Sequence, residues 1–182
     1  MRKRAKSKHS KPELLKHNNL RTFKELKSTN LRTNTTMAQV SANAVTKFND
    51  WKIRNLGKYA VFQLTKDGEI DITHFGESAQ EGKDDVTTWN EFVQKELKDD
   101  EPCWVTYHFG FTKKDGSRRG KTLLIQWIPS KSQAKKKMQY AMWSTTLKQS
   151  LQGIHCTLQA GNWDEVDWDN VIERVSRFEK DD

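Results

Sequence analysis

Cysteine is almost absent, with only Cys103 and Cys156 in 182 residues. Their spacing offers neither a disulfide framework nor a zinc site, so a reducing compartment is expected. Long apolar runs are missing too. No stretch approaches the roughly 18 residues that a bilayer-spanning helix needs, and the opening Met-Arg-Lys-Arg-Ala-Lys lacks the apolar stretch of a secretory signal. A soluble intracellular protein is the expectation. Catalytic signatures are equally scarce: there is no phosphate-cradling glycine loop, no HExxH and no nucleophile elbow. His155 and Cys156 are neighbours on a predicted strand, where successive side chains face opposite ways, and Cys103 and His108 are divided in the same manner. His74 stands alone at a strand end. A non-enzymatic protein without cofactor or metal follows from these gaps.

What is present begins with charge. The formal net charge is +8, which would suit a nucleic-acid partner if it were spread over a face. It is not spread. Residues 1–36 hold eleven Lys and Arg against Glu13 and Glu25, a net of +9, which leaves 21 basic and 22 acidic residues beyond them. This first segment has few large apolar groups to bury, so it is expected to be a disordered basic tail. A nuclear or nucleic-acid address within Arg2 to Lys11 is the alternative reading of the same residues. Composition changes at Met37, which sets two expected regions, 1–36 and 37–182.

In the second region Ser41 can cap a helix on which Val45, Phe48, Trp51 and Leu56 recur at helical spacing. Two strands, 58–64 and 69–75, follow around the Asp67-Gly68 turn. Thr88 with Glu91 forms a possible capping box for a second helix carrying Trp89, Phe92, Val93 and Leu97. Residues 103–111 and 122–128 read as a long hairpin with a basic tip. A long helix then opens at Ser132 and runs to Gly153, a fifth strand covers 154–159, and a last helix covers 163–178. Five strands flanked by helices on both faces predict an α/β layer architecture with a mixed sheet.

Seven Trp residues invite a base-stacking reading. Trp51, Trp89, Trp104 and Trp127 instead fall within amphipathic elements and are expected in the core. The informative stretch is Ser132 to Leu151. Lys135, Lys136 and Lys137 span more than half a helical turn and cannot share one face, whereas Lys135 and Met138, three apart, can. A thioether beside an ammonium makes an adaptable contact surface, although a basic run is as readily an ordinary solvated face.

From about Met37 to Asp182 the chain resembles the actin-depolymerising factor/cofilin family. Val45-Thr-Lys-Phe-Asn-Asp-Trp-Lys-Ile-Arg54 is similar to the family's first helix and Lys58-Tyr-Ala-Val-Phe-Gln-Leu64 to its first strand. Trp127-Ile-Pro129 followed by Lys135-Lys-Lys-Met-Gln-Tyr-Ala141 resembles the strand exit and the long actin-binding helix. Leu151-Gln-Gly-Ile-His155 and Leu158-Gln-Ala160 resemble what comes after it. The resemblance implies an actin-monomer face that includes Ser41, Lys135, Lys137, Met138 and Ile154, with Ser41 the nearest candidate for regulatory phosphorylation. It implies a filament face that includes Arg118, Arg119, Lys121 and Glu165. The stretch Asp164-Glu-Val-Asp-Trp-Asp169 departs from the family, which favours positive charge there in strongly severing members. A monomeric protein that prefers ADP-actin, twists filaments and promotes their disassembly is implied, located in the cytoplasm at the actin cytoskeleton, with a nuclear location the alternative that the basic tail offers. Phosphoinositides would compete for the same lysines. Residues 1–36 have no counterpart in the family, and a nucleic-acid partner would act through them.

Overall fold

The computed structural model describes residues 39–77, 83–113 and 115–177, all of them in the unit Thr36–Asp182. The basic tail over 1–36 and Phe178 of the last predicted helix lie outside the described residues. Strands β1 (Gln39–Val40), β2 (Tyr59–Leu64), β3 (Glu69–Phe75), β4 (Cys103–Thr112), β5 (Arg118–Trp127) and β6 (Cys156–Ala160) form one sheet in the order β1-β3-β2-β4-β5-β6. The central pairings are antiparallel, and β1 on β3 and β6 on β5 are parallel. Helices α1 (Ala42–Arg54), α2 (Asp85–Glu96), α3 (Ala134–Ser150) and α4 (Trp168–Arg177) cover it, and a 3-10 turn at Trp163–Val166 precedes α4.

The mixed sheet with helices on both faces agrees with the sequence expectation; the strand count does not. The sixth strand, Gln39–Val40, is too short to show alternation. It exists because its register on Glu69 and Ile70 continues into a bond from the Ser41 N–H to the Ile70 carbonyl.

Alternation along each strand sends side chains to two cores, one on each side of the sheet. On one side, Val105, Tyr107, Phe109, Leu123 and Ile125 pack beneath α2 and α4. On the other, Ala60, Phe62, Ile70, Trp104 and Leu124 pack beneath α1 and α3. All four tryptophans expected in the core are there, each at most 1% exposed. Each also has a partner for its indole N–H: Trp51 donates to the Gly57 carbonyl, Trp89 to that of Val166, Trp127 to that of Lys98, and Trp104 to the Ser144 hydroxyl. Burying the rings at full depth therefore leaves no orphaned donor among these four.

Local corrections have local causes. The α2 cap is Asp84, whose carboxylate accepts from the Thr87 N–H at 2.8 Å, while the proposed box partner Glu91 is held by Lys83. Leu56 is not part of the α1 stripe. The helix ends at Asn55 in a left-handed conformation (φ 51°), which turns Leu56 outward at 46% exposure. Helix α3 begins at Ala134, after Gln133, rather than at Ser132. The last predicted helix is two elements because two caps start it twice: Asn162 accepts from the Glu165 N–H, and Asp167 from the Asp169 N–H. No helix among the described residues is long and apolar enough to cross a membrane.

Candidate functional site

Helix α3 is committed on one side and open on the other. Tyr140, Trp143, Ser144 and Leu147 are buried against the sheet. On the opposite side Lys135 is exposed, Met138 is 66% exposed and Met142, one turn further, is 53% exposed. A pair of large apolar groups at i and i+4 facing solvent contributes nothing to the core. The first turn of α3 also carries no acidic residue, and its cap, Gln133, makes no side-chain bond to the helix. Lys135, Lys136 and Lys137 thus crowd the end of the helix where the backbone dipole already presents positive charge. That placement opposes helix stability.

The neighbours of this stripe come from three segments. Lys137 is half-buried, and its Nζ donates to the Ser130 carbonyl at 3.1 Å, which places it beside the stripe rather than on its outer edge. Strand β1 packs against α3, bringing the start of α1 alongside it. There Ser41 is half-buried with its hydroxyl accepting from the Ala44 N–H at 2.9 Å, the cap that the sequence suggested. At the other end of α1, Lys52 Nζ donates to the Gln152 carbonyl at 2.9 Å. Ile154, two residues on, rests half-buried against the same core as α1 and α3. Ser41, Lys135, Lys137, Met138 and Ile154 accordingly belong to one layer of the fold. Met142 joins them and was missed by sequence reasoning, although its spacing from Met138 signals it.

The hairpin residues form a second group. Arg118, Arg119 and Lys121 lie on β5 rather than in a loop, because β4 and β5 pair without interruption from Cys103↔Trp127 to Thr112↔Arg118. A depression of about 450 Å³ opens here, walled by Lys58, His108, Arg118, Arg119 and Lys121 and floored by Gly110 and Gly120. Asp85 is the counter-charge, at 2.9 Å from Arg118 and 3.7 Å from Lys58. Burial pushes the Lys58 ammonium below its usual range, and the Asp85 carboxylate partly offsets this. Burial likewise holds His108 below the ordinary histidine range, with Lys58 adding to the effect. Its ring stacks on Trp51 at 3.9 Å.

The structure does not bring Glu165 to the hairpin cations. Its Oε2 accepts from the Gly161 N–H at 2.6 Å, and it lines a separate cleft of about 330 Å³ with Gln126, Ala141 and Gln159. The residues weighed as nucleophiles are also apart. Cys103 is buried, and desolvation pushes its thiol up to about 12. Cys156 is buried in the same core, while His155 accepts from the Thr122 N–H through Nδ1 at 2.9 Å.

A family model described as cofilin/tropomyosin-type actin-binding protein matches residues 37–176. The chain belongs to this family. A cofilin of Gibberella zeae is 32% identical, with 77% of this chain and 94% of that protein covered. One from Mycosarcoma maydis is 29% identical over 76% of this chain and 94% of its own length. The crystal structure of Streptomyces griseoflavus cofilin superposes with a TM-score of 0.66 at 26% identity, covering 77% of this chain and 98% of that one. Membership extends over α1 to α4 and thus over both groups of residues. The first 36 residues fall outside the match.

Proposed function

We propose that this cofilin-family chain binds actin monomers through α3, with Lys135, Lys137 and Met138 as principal contacts, Met142 extending them, and Ser41 and Ile154 at the flanks. The observation that carries the reading is the outward face of α3, where two exposed methionines and a lysine run occupy positions that neither the core nor the helix dipole favours. Arg118, Arg119 and Lys121 provide a filament contact, with Glu165 on a separate rim. Binding energy, with no bond made or broken, promotes filament disassembly. The acidic turn Asp164 to Asp169 opposes negatively charged surfaces, so severing is weaker than monomer binding. Residues 37–182 act as the actin-binding domain and 1–36 as an extension to it. Phosphoinositide headgroups compete for the cationic surface, Ser41 is the site at which phosphorylation would disturb the α1 cap, and the protein works as a monomer in the cytoplasm.

Monomer affinity tests the assignment. Lys135→Ala with Lys137→Ala is expected to weaken binding of purified actin monomers at least tenfold, or about 1.4 kcal/mol, with an unchanged far-UV circular dichroism spectrum. An affinity within twofold of the parent would remove α3 as the site.

A further inference from the structure

We propose that Asp85 attenuates the hairpin: its carboxylate competes for Arg118 with acidic side chains of an actin filament and thereby sets the filament affinity of this chain. The inference rests on the filament contact proposed above.

The first turn of α2 delivers Asp85 to the edge of β4, where its two carboxylate oxygens lie 2.9 and 3.2 Å from Arg118 Nη2. The pair is asymmetric in exposure. Asp85 is 20% exposed and Arg118 is 69% exposed, so the anion is sheltered while its cation still faces the solvent. Both contacts use one nitrogen, and among the described residues Nη1 and Nε make no other hydrogen bond, so they can meet a second carboxylate.

The backbone makes room for this arrangement. A Cβ on Gly110 would sit 3.3 Å from Asp85 Oδ1 and 3.4 Å from Arg118 Nη2, and Gly110 has no left-handed φ to explain it otherwise. Its cross-strand partner is Gly120, where an added Cβ would meet nothing within 4 Å. Gly120 therefore leaves bare the part of the floor that the Asp85–Arg118 pair does not fill, and an incoming side chain can approach Arg118 and Lys58 over it. An acidic group arriving there meets cations whose field Asp85 has already reduced. Because Arg118 is well exposed, the effect is modest and sensitive to salt.

Co-sedimentation with actin filaments of the full chain, its Asp85→Asn, Arg118→Ala and Gly110→Ala variants, and the Asp85→Asn/Arg118→Ala double variant provides the test. Asp85→Asn is expected to bind two- to fivefold tighter in 50 mM salt, with the gain shrinking in 200 mM salt. Arg118→Ala should cost more in the Asp85→Asn background than in the parent. Gly110→Ala, which crowds the pair without touching its charge, should shift affinity in the same direction by less. It also serves if Asp85→Asn fails to fold. Unchanged or weaker binding by a folded Asp85→Asn, with the parent binding filaments normally, would overturn the attenuation alone. A parent that binds monomers but no filaments would overturn both the filament contact and this inference.

Discussion

Replacing Ser144 by Ala tests how α3 is held. Trp104 is fully buried on β4, and its Nε1–H donates to the Ser144 hydroxyl at 2.9 Å. That hydroxyl in turn donates to the Tyr140 carbonyl at 2.7 Å, and the Tyr140 ring stacks on Trp104 at 4.1 Å between centroids. The Tyr140 hydroxyl then accepts from the Leu64 N–H at 3.1 Å. Helix and sheet are thus joined at two polar points, Trp104 to Ser144 and Leu64 to Tyr140, inside an apolar layer. Removing the serine oxygen leaves the indole N–H buried without an acceptor, which costs about 1–3 kcal/mol. Alanine recovers up to about 0.5 kcal/mol through its better helix propensity, so the net loss is about 0.5–3 kcal/mol.

Urea unfolding followed by far-UV circular dichroism measures this loss, and for a domain of this size Tm should fall by about 1–12 °C. A double-mutant cycle isolates its cause. In a Trp104→Phe background no donor needs the hydroxyl, so Ser144→Ala should cost less than about 0.5 kcal/mol there. Equal costs in the two backgrounds, or a cost below about 0.5 kcal/mol in the parent, would refute the account.

Two further outcomes follow from particular residues. Gly57 has φ +132°, and a Cβ there would lie 1.9 Å from the Gly76 carbonyl oxygen; Gly57→Ala should therefore destabilise by more than about 3 kcal/mol, and a urea midpoint close to the parent's would contradict this. Burial and Lys58 oppose protonation of His108, and its Nε2 has no partner among the described residues. The unfolded chain takes up that proton near pH 6.5 and the native one only at lower pH, so this contribution is present above about pH 6.5 and is lost as pH falls from there toward the lower native value. His108→Phe should flatten the decline of stability between pH 7.5 and 5.5, and an identical pH slope in the variant would exclude the histidine.

Legibility of the sequence followed the range of the signal. Helix α1 and the Asp67-Gly68 hairpin could be read because each is specified within a dozen or so neighbouring residues, through Ser41 as cap and a glycine at φ +85° in the turn, while the β4–β5 ladder was legible except for Arg118 to Lys121, whose polar run hid the start of β5. Strand β1 could not, since two residues carry no period and its existence depends on β3, some thirty residues away. The Thr88–Glu91 box was a plausible local pattern that lost to a better one, because Asp84 bonds both the N–H and the hydroxyl of Thr87. The Asp85–Arg118 pair joins positions 33 apart in sequence, and neither residue announces the other.

The same distinction bears on function. Sequence spacing alone put Lys135 and Met138 on one face of a helix but could not say whether that face met the core or the solvent. Only the placement of Tyr140, Trp143 and Leu147 against the sheet turns Met138 and Met142 outward. The lysine run, for its part, gains nothing for helix stability from its position. Three cations at the positive end of a helix dipole, beside two thioethers in water, are each mildly unfavourable to the isolated fold. Both penalties would be relieved by the docking proposed above, of an acidic and partly apolar partner surface on α3.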